Sequence, residues 1–342
     1  MDQPRFLKAC RRRPVDRIPV WMMRQAGRYM AEYRALRKRY EMLEVCKTPE
    51  LALQVTMQPI KRFDLDAAII FADILLPLEG MGVPFGFEPN HGPVIHDPVD
   101  SLEKIDAVQV AEIEESLGYV LEAIRLVRAE LDDSIALIGF AGAPFTLASY
   151  MIEGGGSRNY LTTKRLMLTH PRAWHRLMET VSETTWRYLA AQAEAGAQAL
   201  QLFDSWVGCL SPRDYDEFVF PHVRSIFQRL QDKDVPLIYF GTNTSTLLPR
   251  MKQSGCSVLG VDWRLPLEQA FELAGDELAV QGNLDPAALF APRQALLQQV
   301  EAILQESRGR RGYIFNLGHG ILPGTPVENV EAVIDYVHAS GS

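Results

Sequence analysis

Apolar residues recur along this chain in two alternating rhythms. Short unbroken runs form one of them: Ile18 to Met23, Ala67 to Phe71 (AAIIF), Ile135 to Phe140 (IALIGF), Ala199 to Phe203 (ALQLF), Leu237 to Phe240 (LIYF), Val258 to Val261 (VLGV), Leu278 to Gln281 (LAVQ) and Tyr313 to Asn316 (YIFN). Runs of this kind read as strands buried on both faces, as in a parallel sheet. Between them apolar residues return every three or four positions. Ile113, Leu117, Val120, Leu121, Ile124, Val127 and Leu131 predict a helix over Val110 to Leu131. Another is expected from Pro49 to about Arg62, with Thr48 capping, Pro49 at the first position and Glu50 facing the dipole. Further helices are expected at Leu161 to Leu168, Pro171 to Gly196, Pro212 to Gln231, Leu247 to Ser254, Pro266 to Ala274, Pro292 to Arg308 and Pro326 to Tyr336, the last capped by Thr325. Met30 to Tyr40 reads as helix or loop. Gly80 to Pro98 is rich in Gly and Pro and reads as a long loop or an extended excursion.

Eight strands alternating with helices predict a parallel sheet, and eight such units predict a single-domain (β/α)8 TIM barrel over residues 1–342 with a short N-terminal extension. A doubly wound open sheet competes with it. That fold usually carries a glycine fingerprint after its first strand, and RQAGR is not one. No repeat, charge block or low-complexity linker divides the chain.

Composition narrows the function. Apolar residues are 47% and charged residues 23%, ordinary for a soluble globular protein. Thirty-five basic against 43 acidic residues leave a net charge of −8, which argues against a nucleic-acid surface. Cys10, Cys46, Cys209 and Cys256 form no C-x-x-C pair and read as small buried hydrophobes in a reducing cytoplasm. Arg11, Arg12 and Arg13 have no apolar stretch beside them, so no signal peptide is expected, and no run approaches a membrane span.

In such a barrel the chemistry sits at the carboxyl ends of the strands. The first apolar run delivers Arg24, Gln25, Ala26, Gly27 and Arg28, with Gly27 expected to let the backbone turn. Guanidiniums match carboxylates or phosphates two bonds at a time, so a polyanion is expected there. Plain surface charges at a helix start are the competing reading. It is weaker, because cations oppose the dipole at a helix N-terminus. Asp73 ends the second run. It reads as a turn cap, or as a carboxylate that needs a cation or N–H donors in an apolar cleft. Tyr150, a little downstream of the third strand, reads as core packing or as a hydroxyl with a polar partner. Ser205 lies in no G-x-S-x-G elbow and reads as a hydrogen-bond donor to a ligand carboxylate rather than a nucleophile. Asp204, Asp262, Asn283 and Asp285 stand at other strand ends. His319 lies between Gly318 and Gly320, where backbone can approach a ligand closely. Gly154 to Gly156 lacks a following Lys-Ser/Thr pair and reads as a turn. His91, His96, His170, His175, His222 and His338 form no metal-ligating cluster, which argues against a metal site.

Six segments resemble the uroporphyrinogen decarboxylase family: PVWMMRQAGRYMAEYRALR, AAIIFADIL, GFAGAPFTLASYMIEGGGS, QLFDSWVG, VQGNLDP and FNLGHGILPGTPVENV, running from residue 19 to 330. Met30-Ala31, Ala72 and YFGTNTSTLLPRM depart from the usual pattern, and none touches the expected site. The resemblance implies a (β/α)8 barrel, a homodimer with facing clefts and no cofactor. It implies conversion of the four acetate side chains of uroporphyrinogen III to methyls, giving coproporphyrinogen III and four CO2 in haem and related tetrapyrrole synthesis. Substrate contacts then fall on Arg24 to Arg28, Asp73, Tyr150, Ser205 and His319, with Arg37 a further basic position. Asp73, Arg24 and Tyr150 are the expected catalytic set. An octa-acid suits arginines in a cleft. A pyrrole protonated at a ring carbon becomes a cation that can take the electrons left by CO2, so neither pyridoxal nor metal is needed. Two alternatives stand beside this reading: a corrinoid or methyl-thiol methyltransferase on the same barrel, which would need a zinc thiolate site, and a porphyrin-binding protein without activity.

Overall fold

Seven of the eight apolar runs pair into one sheet. The computed structural model describes residues 3–88 and 92–341. In chain order it contains β1 (Ala67–Ile69), a hairpin of β2 (Phe85–Glu88) and β3 (Gly92–Ile95), then β4 (Ala136–Gly142), β5 (Ala199–Asp204), β6 (Leu237–Gly241), β7 (Val258–Gly260), β8 (Ala279–Leu284) and β9 (Tyr313–Leu317). All but the hairpin form a parallel sheet of order β1-β4-β5-β6-β7-β8-β9. The register sets Gly142 beside Phe203, Asp204 beside Gly241 and Asn283 beside Asn316, so the carboxyl ends share one rim. The hairpin is the excursion expected within Gly80 to Pro98. His91 lies outside the described residues.

The eighth run departs from expectation: Ile18 to Met23 makes a single parallel bridge, Val20 with Phe315, in place of a strand. The Phe315 N–H donates to the Pro19 carbonyl at 2.9 Å, and on the other flank the Asp66 N–H donates to the Val20 carbonyl at 2.9 Å. The Trp21 N–H donates to the Phe315 carbonyl at 3.4 Å, but a longer ladder does not follow, because Pro19 has no N–H and side chains take the other donors. The Val20 N–H goes to Asp66 Oδ2 at 2.7 Å, the Met22 N–H to Gln25 Oε1 at 3.2 Å and the Met23 N–H to Asn316 Oδ1 at 3.0 Å.

The helices follow the apolar spacing, with local differences. Ile113–Glu130 and Pro171–Ala195 match their expected spans closely. The helix expected over Pro212 to Gln231 is two, Pro212–Phe218 and Phe220–Leu230. Pro221 removes the N–H that would carry a single helix through this point. Thr48 stands at the N-cap of Pro49–Arg62, but its side chain accepts no capping hydrogen bond. The final helix, Val327–Ala339, is preceded by Pro326, and the Thr325 hydroxyl donates to Leu322 instead of capping. Several helices escape the periodicity, among them the short Met42–Lys47, Pro77–Gly80 and Leu102–Ala107. Arg5–Cys10 is short, and Pro144–Glu153 is apolar on every side, with eight of its ten residues buried.

Two apolar layers result. One lies between the strands and the surrounding helices. The other fills the opposite face of the sheet with Trp21, Ile138, Ile238, Phe240, Val258 and Ile314, and Phe6 and Leu7 of the first helix close it below. A polar thread crosses this layer: the Trp21 indole N–H donates to Gln281 Oε1 at 2.9 Å, and Gln281 Nε2 donates to Gln201 Oε1 at 3.1 Å. At the amino end, buried Asp66 also receives Arg5 Nη1 at 2.6 Å and meets His338 Nε2 at 2.9 Å. Burial alone would raise its carboxyl, but His338, the Val20 N–H and Arg5 outweigh burial and hold it below the usual range. Among the described residues no helix is long and apolar enough to cross a membrane.

Candidate active site

The arginine turn is held by everything around it. Gln25 is buried; its Oε1 takes the Met22 N–H, and its Nε2 donates to the Ala67 carbonyl at 3.2 Å. The Tyr29 hydroxyl donates to the Gln25 carbonyl at 2.8 Å, and the Ile321 N–H donates to the Met23 carbonyl at 2.9 Å. Inside this frame the residue that makes the turn is Arg24, in the left-handed region at φ 60°, and not Gly27. A non-glycine residue there is strained and has to be held by its surroundings. Gly27 serves close approach instead: a Cβ on it would lie 3.0 Å from the Arg24 carbonyl oxygen. Arg24 and Arg28 are both exposed at the rim, while Ala26 is half-buried between them.

Asp73 lies half-buried just past β1. Its Oδ1 accepts the Leu75 N–H at 2.9 Å, so it does cap the turn, and the Arg24 charge also acts on it. Burial raises its carboxyl above the ordinary range against the pull of these two groups. Tyr150 stands on the helix Pro144–Glu153, which ends at Gly154 (φ 80°), whose N–H returns to the Tyr150 carbonyl. The Tyr150 hydroxyl is pushed up to about 12 by burial and by the Asp73 carboxylate, against Trp206 and Arg24. His319 is lowered to about 4 by burial and then by Arg24. It is therefore neutral at pH 7. Arg24 thus acts on Asp73, Tyr150 and His319 at once, which brings these four expected residues to one rim.

The glycines around His319 make room for protein. A Cβ on Gly320 would collide with Arg24 Cγ and Nε, and one on Gly318 would lie 2.6 Å from the Trp263 nitrogen. Ser205 follows β5 at the same rim, and its carbonyl accepts the Thr242 hydroxyl at 2.6 Å. Arg37 is half-buried, and its guanidinium donates to the Tyr40 carbonyl. It acts on Cys46, which in turn faces Asp73. Asn283 and Asp285 serve the backbone: Asn283 Nδ2 donates to the Leu265 carbonyl at 2.7 Å, and Asp285 Oδ1 accepts the Ala287 N–H at 2.9 Å.

The spacing of residues gave no role to Asp204, which the structure makes central. It is fully buried. Its Oδ1 accepts the Thr146 hydroxyl at 2.8 Å, and its Oδ2 accepts the Tyr239 hydroxyl at 2.9 Å, with the Tyr215 hydroxyl 3.1 Å beyond. The helix bearing Tyr150 starts after Ala143, which has no capping side chain, and Asp204 meets its first turn from β5. Thr146 Oγ1 also accepts the Trp206 N–H at 3.3 Å, and the Trp206 ring lies 5.8 Å from that of Tyr150. The signal available in the sequence was a helix opening Ala-Pro-Phe-Thr without its own cap.

Other polar clusters answer their own charges. His175 Nδ1 and His222 Nε2 lie 2.9 Å apart, between helices Pro171–Ala195 and Phe220–Leu230. In the groove beside them Arg229 covers the Trp186 ring at 3.5 Å and pairs with Glu183. Among the described residues no three His, Cys, Asp or Glu side chains converge as metal ligands.

Comparison with known proteins places this rim in context. The family model described as uroporphyrinogen decarboxylase (URO-D) matches residues 1–340. The uroporphyrinogen decarboxylase of Sorangium cellulosum is 60% identical over 335 residues, covering 98% of this chain and 96% of that protein. That of Carboxydothermus hydrogenoformans is 54% identical over 337 residues, with the same coverage. Among solved structures, a methyltransferase from Methanosarcina mazei superposes with a TM-score of 0.81 over 98% of both chains at 20% identity, a likeness of fold alone. With the family model spanning both the arginine turn and the His319 turn, the chain belongs to the uroporphyrinogen decarboxylase family.

Proposed function

We propose that this protein is a carboxy-lyase that converts the four acetate side chains of uroporphyrinogen III to methyls, yielding coproporphyrinogen III and four CO2. The observation that carries the chemistry is Asp73, a carboxyl held on an apolar rim within the field of Arg24. The substrate is itself the electron sink. A proton adds to the pyrrole α-carbon next to the carbon bearing the acetate, and the ring becomes a cation. The C–C bond to the carboxylate then breaks, CO2 leaves, and its electron pair forms an exocyclic methylene. Protonation of that methylene gives the methyl, and loss of the first proton restores the pyrrole. Each turn consumes one proton and releases one CO2.

Asp73 accepts the pyrrole N–H groups at the macrocycle centre and stabilises the cation as it forms, a charge fixed in place before the reaction. Arg24, Arg28 and Arg37 orient substrate carboxylates. The neutral Tyr150 hydroxyl and neutral His319 add donors without adding charge, and Ser205 adds a hydroxyl. The proton reaching the ring is relayed by Arg24, by a substrate carboxyl or by a water beside it. Purified protein given uroporphyrinogen under anaerobic conditions is expected to release CO2 and form coproporphyrinogen. Tight binding without CO2 release would overturn the reading.

The Val20 segment, bonded to Phe315 on one flank and to Asp66 on the other, supports closure of the sheet into an eight-stave barrel. The exposed Leu161 and Leu168 support association of two copies as a homodimer, which sedimentation would test.

A further inference from the structure

Arg264 is a guanidinium at this rim to which the arginine turn does not point. It stands two residues after buried Asp262, just past β7. Its Nη1 pairs with Asp262 Oδ2 at 2.5 Å, its own N–H donates to Asp262 Oδ1 at 2.9 Å, and its guanidinium lies 4.2 Å over the Trp263 ring. The other Asp262 contact, the Asn243 N–H at 2.5 Å, fixes the carboxylate. The Arg264 side chain is 45% exposed while Asp262 is 2% exposed, so the ion pair is anchored on one side and open on the other. Asp262 and Trp263 touch Gly318, the residue before His319, and the Arg264 charge acts on His319. Arg24 reaches His319 from the Val20 segment on one flank of β9, and Arg264 from β7 on the other.

We propose that Arg264 binds a carboxylate of the polycarboxylate substrate, as a further guanidinium held ready by Asp262 and Trp263. The proposal rests on the functional reading above and deepens it. One face of the fork is used by Asp262, which fixes the orientation of the rest. A guanidinium so held loses little freedom on taking a carboxylate. Arg24, Arg28 and Arg37 all come from the first segment of the chain, and Arg264 supplies a guanidinium from the β7 side.

The test measures turnover of uroporphyrinogen beside binding of uroporphyrin, the oxidised octacarboxylate, which does not react. Arg264→Leu is expected to raise KM and the uroporphyrin Kd about tenfold, the size of one lost charge-assisted hydrogen bond, with kcat within about twofold. Its KM should also rise less steeply with salt than that of the wild type, which a merely structural role would not produce. Arg264→Lys should recover part of the affinity. Unchanged KM and Kd in Arg264→Leu, with an active wild type, overturn the proposal and leave the decarboxylase reading standing. A wild type that releases no CO2, yet binds uroporphyrin more tightly than Arg264→Leu, overturns the decarboxylase reading and keeps the carboxylate site.

Discussion

Asp204 accepts the Thr146 hydroxyl at 2.8 Å and so ties the end of β5 to the helix that carries Tyr150. Burial raises the Asp204 carboxyl to about 6, against the hydrogen bonds from Thr146 and Tyr239. The folded state therefore holds a proton there that the unfolded chain has already released. Stability is greatest below the unfolded value near 4 and falls as pH rises toward 6, by roughly 3 kcal/mol at most. Asp204→Asn cannot titrate. The wild-type Tm minus the Asp204→Asn Tm is expected to fall between about pH 4 and 6 and to be flat from about 7 to 8. A difference independent of pH would remove the buried proton from the account.

Asp73→Asn keeps the shape of the side chain and removes the charge. Uroporphyrin should still bind. Turnover should fall by about a hundredfold or more, the scale of losing a preplaced electrostatic group. A kcat near that of the wild type would refute the role given to Asp73.

Arg28 is exposed, and its backbone carbonyl is already held by Arg34 Nη1 at 2.9 Å. Arg28→Ala should leave that support in place and remove only a cation. We expect KM to rise about fivefold to tenfold with kcat little changed. Steady-state kinetics with an unchanged KM would count against a substrate contact.

Asp66→Asn takes the charge from a buried carboxylate that serves Val20, Arg5 and His338 together. Leaving Arg5 and His338 with a weakened partner should cost roughly 3 kcal/mol of stability, read by urea unfolding. The same variant should raise KM as well, because Val20 leads directly into the arginine turn. A stability loss with wild-type kinetics would show that the turn is held without help from Asp66.

Strands were easy to foresee where both faces are buried, and the rim residues followed from their ends. Arg24, Asp73, Tyr150, Ser205 and His319 were all accessible to that logic. What escaped it depends on partners distant in sequence. The first run is as apolar as a strand, but the acceptors that break its ladder, Asp66 and Asn316, lie 46 and 293 residues away along the chain. The helix Pro144–Glu153 has no polar side to give it periodicity, and its cap comes from β5. The role of the Gln25 side chain in holding the Met22 and Ala67 backbone was not foreseen either. Nothing in the local run RQAGR announces that use.

The Val20 segment is fastened by groups made much later in synthesis. Phe315 and Asn316 supply its neighbours on one flank, and His338 braces Asp66 on the other, 272 residues further along. A growing polypeptide thus carries its arginine turn out of the ribosome long before the clasp for it exists. The arginines emerge early and are set late, so ligand affinity should arise in one step with the final strand and helix rather than build up as the chain lengthens.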